Sequence, residues 1–241
     1  MMKQAGFRLA MALAVLACAY LLPLFVREQK RKETSAVAEP SWVLMIDAGH
    51  GASDSGKVGI NGALEKDINL SVAQKLKAYL EAYEIRVVMS RITDDPLYQE
   101  SDRNKKLADM KARIRMMEEN QVQYVVSIHQ NSYQQESVSG AQVFYYADSP
   151  EGEKLAQAIQ DGFSYALGEK NTRKIKPNRD YYLLLHSPAV AVICECGFLS
   201  NREEAQRLTT EEYQQKIAVS IGKGILNFLG ITEHADMPEA V

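Results

Sequence analysis

Three short stretches of this 241-residue chain set a histidine or a carboxylate among small or polar neighbours directly after an apolar run. They are Ile46-Asp47-Ala48-Gly49-His50-Gly51, Ser127-Ile128-His129-Gln130-Asn131 and Ile193-Cys194-Glu195-Cys196-Gly197. Glu65, in Leu64-Glu65-Lys66-Asp67, adds a carboxylate at the start of a helical pattern. Two imidazoles and one carboxylate make a catalytic zinc set, because three protein ligands leave the fourth tetrahedral position open. A zinc ion so held polarises a carbonyl and makes water acidic, and a second carboxylate, not a ligand, must then take and return the proton. On this reading His50, Glu65 and His129 are the metal ligands, Zn2+ is the cofactor and Glu195 is the general acid/base. The spacing matches neither a His-Glu-x-x-His helix nor a cysteine-rich structural site, so these four residues draw their strength from the words around them.

Such residues need a scaffold that brings distant segments together. Apolar runs at 43–47, 85–89, 124–128, 141–146 and 189–195 read as strands. Ile68, Val72, Leu76 and Leu80 recur at helical spacing, as do Leu107, Met110, Ile114 and Met117, then residues 155–167, and finally Ile217, Ile221, Ile225 and Phe228. Alternation of this kind predicts an α/β fold: one domain over 41–230, with a twisted, mostly parallel sheet and helices on both faces. In open sheets of this type functional groups collect beyond the carboxyl ends of the strands, where the three stretches fall.

Ahead of the domain, residues 9–26 form an uncharged, mostly apolar run between Lys3 and Arg8 on one side and Arg27, Lys30, Arg31 and Lys32 on the other. As a helix it would span roughly 27 Å, close to a hydrocarbon core of about 30 Å. Residues 1–26 are therefore expected to be an uncleaved signal anchor, since the nearest small-residue cleavage signal, Ala36-Val37-Ala38, lies beyond the basic cluster. Val15-Leu16-Ala17-Cys18 resembles a lipidation site only faintly, because the apolar run continues to Val26. Residues 27–40 read as a tether and 231–241 as a flexible tail. Both flanks of the anchor are basic, so its orientation has to follow from function. A formal net charge of −3 provides no basic field, and nucleic acid is set aside as a partner. Three cysteines, one inside the apolar run, define no disulfide framework.

The flanking words resemble the amidase 3 family of N-acetylmuramoyl-L-alanine amidases. The family's Asp-Pro-Gly-His-Gly-Gly is similar to 46–52, its Glu-Lys-Asp-hydrophobic-Asn-Leu to 65–70, its Ser-Ile-His-x-Asn to 127–131 and its Glu-hydrophobic-Gly-Phe-Leu-Ser-Asn to 195–201. Ala48 stands where proline is usual, Ala52 where a second glycine is usual, and Cys196 where an aliphatic or small residue is common; no ligand is lost. The resemblance implies zinc held by His50, Glu65 and His129, Glu195 as acid/base, and cleavage of the amide between N-acetylmuramic acid and L-alanine in peptidoglycan. Asn171-Thr172-Arg173-Lys174-Ile175-Lys176, followed by Tyr182-Leu183-Leu184, is similar to the germination-specific subgroup, which implies a role in spore cortex maturation, muramic δ-lactam formation and germination. The expected partners are peptidoglycan, the membrane through the N-terminal segment, and an accessory protein whose identity the sequence does not carry. The expected location is the extracytoplasmic face, in the forespore envelope under the sporulation reading.

Asn131, Arg173 and Lys174 are the candidates for substrate contact; the cluster Arg173, Lys174, Lys176 and Arg179 reads either as a solvated face or as a binder of stem carboxylates. Asp54, Arg91 and Asn131 are expected to order loops or support the ligands. His186 is placed in a loop, His234 in the solvated tail, and alternation along the last strand puts Cys194 and Cys196 on the face opposite Glu195 as structural thiols. Two other functions fit the same residues: a zinc peptidase on the peptidoglycan stem, and a non-catalytic wall-binding relative.

Overall fold

A computed structural model of the chain describes residues 42–232 apart from 84, 165–167 and 169–170. The expected anchor and tether, and the tail with His234 from residue 233 on, lie outside the described residues. No helix among the described residues is long and apolar enough to cross a membrane.

The first strand, β1 (Val43–Ala48), alternates Leu44, Ile46 and Ala48 on one face with Met45 and Asp47 on the other, all buried. After a loop comes α1 (Glu65–Glu81), whose Ile68, Val72, Leu76 and Leu80 fall at helical spacing and are buried against the first of these faces. Burying an aliphatic side chain of this size contributes about 1.5–3 kcal/mol, so this stripe alone sets the helix against the sheet. The chain continues through β2 (Arg86–Met89), α2 (Lys105–Glu119), β3 (Tyr124–Asn131) and β4 (Gln142–Tyr146) to α3 (Pro150–Gly162). It ends through β5 (Lys176–Asn178), α4 (Tyr182–His186), β6 (Val190–Phe198), α5 (Arg202–Leu208) and α6 (Glu211–Leu229).

The six strands form one sheet in the order β2-β1-β3-β6-β4-β5. β2, β1, β3 and β6 are mutually parallel, as expected, but β4 runs antiparallel to β6 and carries β5 parallel to itself, so the sheet is mixed. The reason is the connection 132–141, which holds no helix and is too short for a parallel crossover. Helices lie on both faces. Leu155 and Ile159 of α3 and Ile217, Ile221 and Ile225 of α6 join α1 over one face; Met117 of α2 with Leu183 and Leu184 of α4 covers the other, against Met45, Val125 and Ile193.

Several elements depart from the periodic reading. The helix expected at 155–167 begins at Pro150, because the Ser149 side chain accepts from Gly152 N and proline suits a first helical position. α2 is rotated from its apolar stripe: Leu107 is 37% exposed, whereas Arg113 faces inward at 2%. β5, α4 and α5 are too short for periodicity to reveal, and His186, expected in a loop, is the last residue of α4.

Candidate active site

Chain order reverses between β1 and β3, which lie side by side with β2 beyond one and β6 beyond the other. The crevice beyond their carboxyl ends is where an open α/β sheet takes its ligands. His50 leaves β1 there, His129 lies in β3, and Glu65 opens α1 behind the loop of β1. Each offers one donor atom, and the three atoms lie within 4.8 Å of one another, a group that can hold a metal ion. Glu65 Oε1 sits between the rings, 3.2 Å from His50 Nε2 and 3.0 Å from His129 Nδ1. The rings meet edge to face, their centroids 5.0 Å apart.

Glu65 is 2% exposed, while the histidine side chains are about a fifth exposed and open to the crevice. Its Oε1 also accepts from Gln130 N and its Oε2 from Lys57 N, at 3.0 and 2.8 Å. Burial opposes the charge on Glu65, but the two histidines outweigh it and hold the carboxyl well below its usual range. Burial likewise opposes a charged His50, and Glu65 and then Asp54 overcome it and raise the imidazole. Asp54 Oδ2 is 2.9 Å from His50 Nδ1 and orients the ring, the supporting role expected of it. Close packing explains two glycines. A Cβ on Gly49 would fall 2.3 Å from the His129 ring, and one on Gly56, at φ 64°, 2.5 Å from Glu65 Oε2. His50 itself has φ 62° and Ala52 φ 50°, left-handed backbone that costs a residue bearing a Cβ roughly 1–2 kcal/mol.

Two buried arginines hold this loop by its carbonyls. Arg91 Nε donates to the carbonyls of Ala48 and His50, and its Nη2 to those of Gly49 and Lys66. From the other side, Arg113 Nη1 donates to Asp47 and to the Ala48 carbonyl, and Nη2 to the His50 carbonyl at 2.8 Å. Asp47 also accepts from Ser127 Oγ at 2.5 Å. Burial would raise the Asp47 carboxyl, but Arg113 and Ser127 dominate and bring it down to about 2.

Glu195 faces His129 across the β3–β6 ladder. It does not end its strand, as the sequence had implied: the register shifts between His129 and Asn131, and β6 continues to Phe198. Glu195 Oε2 is buried without a hydrogen-bond partner among the described residues. Burial raises its pKa to about 6; Glu65 adds to this, and the two histidines oppose it. Cys194 and Cys196 lie on the opposite face, fully buried in the core, with thiols pushed up by burial. A cleft of about 530 Å³ opens over the centre, lined by His50, Asp54, His129, Lys106, Tyr181 and Tyr182 among others.

The four residues expected to do chemistry are thus brought together. The expected substrate contacts are not in the lining of this cleft. Asn131 ends β3, its carbonyl accepting from Leu199 N. Arg173 spends its guanidinium on the Ser139 carbonyl, on Gln142 and on the Phe198 ring. Lys174 is exposed on the same side, its carbonyl accepting from Gln142. Sequence reasoning missed Asn69, which donates to the Gly49 carbonyl and to Glu65. Its signal was a position four residues after Glu65 on one helix face. It also missed the buried ion pair of Asp47 and Arg113, 66 residues apart, with Ser127 donating to Asp47, a cluster that leaves no local pattern.

Fold and site together define an α/β enzyme with a candidate metal centre at the switch point of its sheet. Residues 44–227 match the Amidase_3 family, described as N-acetylmuramoyl-L-alanine amidase, and the chain belongs to that family. It is 38% identical over 200 residues to the germination-specific N-acetylmuramoyl-L-alanine amidase of Bacillus subtilis (strain 168), covering 82% of this chain and 83% of that protein. Among solved structures, the CwlD amidase from Clostridioides difficile, in complex with the GerS lipoprotein, is similar with a TM-score of 0.76 at 35% identity, covering 79% of this chain and 99% of that one. The catalytic domain of CwlV, an amidase from Bacillus (Paenibacillus) polymyxa var. colistinus, is similar at 0.69 and 30%, covering 79% and 99%. The activity is accordingly that of an N-acetylmuramoyl-L-alanine amidase on peptidoglycan, exerted outside the cytoplasm, and the stem-peptidase and non-catalytic readings fall away.

Proposed function

We propose that this amidase is a zinc enzyme in which His50, Glu65 and His129 hold the ion and Glu195 is the general acid/base. The donor set fits: two imidazoles and a carboxylate with donor atoms within 4.8 Å of one another, the imidazoles lining the cleft. Bound there, zinc would supply a Lewis acid for the scissile carbonyl and for water. Asp54, by accepting from His50 Nδ1, leaves the Nε2 lone pair for the ion. Arg91 and Arg113 fix the backbone that carries His50. Glu195 accepts a proton from the attacking water and delivers it to the departing alanine nitrogen. The products are the lactyl carboxyl of muramic acid and the free amino group of L-alanine. A carboxyl near pKa 6 is mostly ionised at neutral pH yet holds a proton readily enough to return it.

The observation that carries this reading is the buried Oε2 of Glu195 opposite His129, unpartnered among the described residues, since an orphan carboxylate costs stability and a chemical role accounts for its presence. Glu195→Gln keeps the shape and removes the base. Zinc content should be unchanged and turnover should fall about 10²- to 10⁴-fold. Near-normal turnover would remove Glu195 from the role, and loss of zinc would make it a ligand.

The germination-specific relative supports a place in germination, and the subgroup resemblance of residues 171–176 and 182–184 extends the proposal to spore cortex maturation and δ-lactam formation. The lipoprotein complex of a similar amidase supports an accessory protein partner for this chain. Asn131, Arg173 and Lys174, at the same end of the sheet, are proposed as outer contacts with the polymer. Residues 9–26 are proposed to anchor the enzyme with its domain on the wall side. Protease added to intact protoplasts should degrade the domain; full protection would reject that orientation.

A further inference from the structure

The cleft over the centre has two unlike walls. One is charged: α2 brings in Lys105, Lys106 and Asp109, beside Ser53, Asp54 and Tyr98, and Asp109 is already paired with Arg113. The other presents Tyr181, Tyr182 and Leu183. Lys105 is already engaged, its ammonium 2.7 Å from Glu100 and 5.3 Å above the Tyr98 ring. Lys106 is exposed and lies near enough to Asp54 to help lower its carboxyl pKa, but it makes no salt bridge among the described residues and keeps its ammonium free to move.

The substrate's charge is one-sided. Muramic acid has a single carboxyl, and the scissile amide consumes it, so the sugar side is neutral. The stem peptide carries free carboxylates, the first of them on its second residue. Two residues of extended chain reach about 7 Å at most. A cavity of about 530 Å³ is about 10 Å across if its dimensions are similar. A carboxylate two residues from an amide held at His50 and His129 therefore comes within reach of the long, flexible Lys106 that lines the same cleft. The tyrosine wall is left for the neutral ring.

Resting on the site reading above, we propose that Lys106 is the specificity residue for the peptide side of the cleft. It pairs with the free α-carboxylate of the second stem residue, D-glutamate, and so discriminates stems in which that group is free from stems in which it is amidated.

The test compares disaccharide-tetrapeptide muropeptides with D-glutamate or D-isoglutamine at the second position. In the full-length protein, kcat/KM should favour the acid about two- to five-fold, the size of one solvent-accessible charge pair. The same preference should appear in calorimetric affinities of the Glu195→Gln variant. Lys106→Ala should bring the ratio close to one and Lys106→Arg should restore it; added salt should shrink it. An acid-to-amide ratio near one in the unsubstituted protein, or a ratio untouched by Lys106→Ala, overturns the assignment. Failure of the site reading is distinguishable, because it appears in zinc content and in turnover on both substrates rather than in their ratio.

Discussion

Asp47→Asn removes one charge from the buried pair beneath the site. Asp47 and Arg113 are 1% and 2% exposed, and the Asp47 carboxyl stands at about 2 against an ordinary 3.8. At 1.36 kcal/mol per pKa unit, ionised Asp47 contributes about 2 kcal/mol at neutral pH. Its folded pKa is depressed, so this stability is complete above about pH 4 and disappears as pH falls through about 2. The asparagine variant leaves Arg113 with Asp109 at 2.6 Å as its remaining anionic partner. Breaking a buried pair costs about 3–5 kcal/mol when nothing remains, and the retained Asp109 brings the expectation to about 2–3 kcal/mol. Urea denaturation at pH 7 measures this, and repeating it at pH 3 should show a smaller difference between the two proteins. Arg113→Met should cost less in the Asp47→Asn background than in the unsubstituted protein, since there the pair is already broken, while Asp109 and the carbonyls of Ala48 and His50 lose the guanidinium in either background. A cost below about 0.5 kcal/mol at pH 7, or a double variant as unstable as the sum of the singles, would refute the argument.

His129→Ala takes away one of three donors, and the purified variant should lose zinc and activity together, which metal analysis beside a peptidoglycan assay would reveal; full zinc with normal hydrolysis contradicts the ligand set. Ala52→Gly relieves the left-handed backbone at φ 50° and should raise stability by about 0.5–1 kcal/mol, read as a shift of the urea midpoint, whereas an unchanged or lower midpoint would mean that Ala52 carries no strain.

Much of the centre was legible because its chemistry is written in short words. His50 and His129 follow or lie in apolar strands, Glu65 opens an apolar-striped helix, and Glu195 alternates with two cysteines that the fold buries on the other face. Strand and helix periods depend only on neighbours in the chain, so they place these groups at strand ends without knowledge of the rest. Local pattern could not choose between a solvated and a binding role for a lysine, and it favoured Arg173 and Lys174 where the fold lines the cleft with Lys105 and Lys106. Nor could it reveal that Arg113 would turn inward in place of Leu107, or that β4 would reverse. Those outcomes depend on partners far away in sequence. Arg113 is buried because Asp47, 66 residues earlier, and the carbonyls of Ala48 and His50 await its guanidinium. Sequence by itself thus determined which residues could do chemistry and which strands would carry them. The tertiary structure decided which charges face one another, because the cost of burying a charge is settled only by what the fold puts beside it.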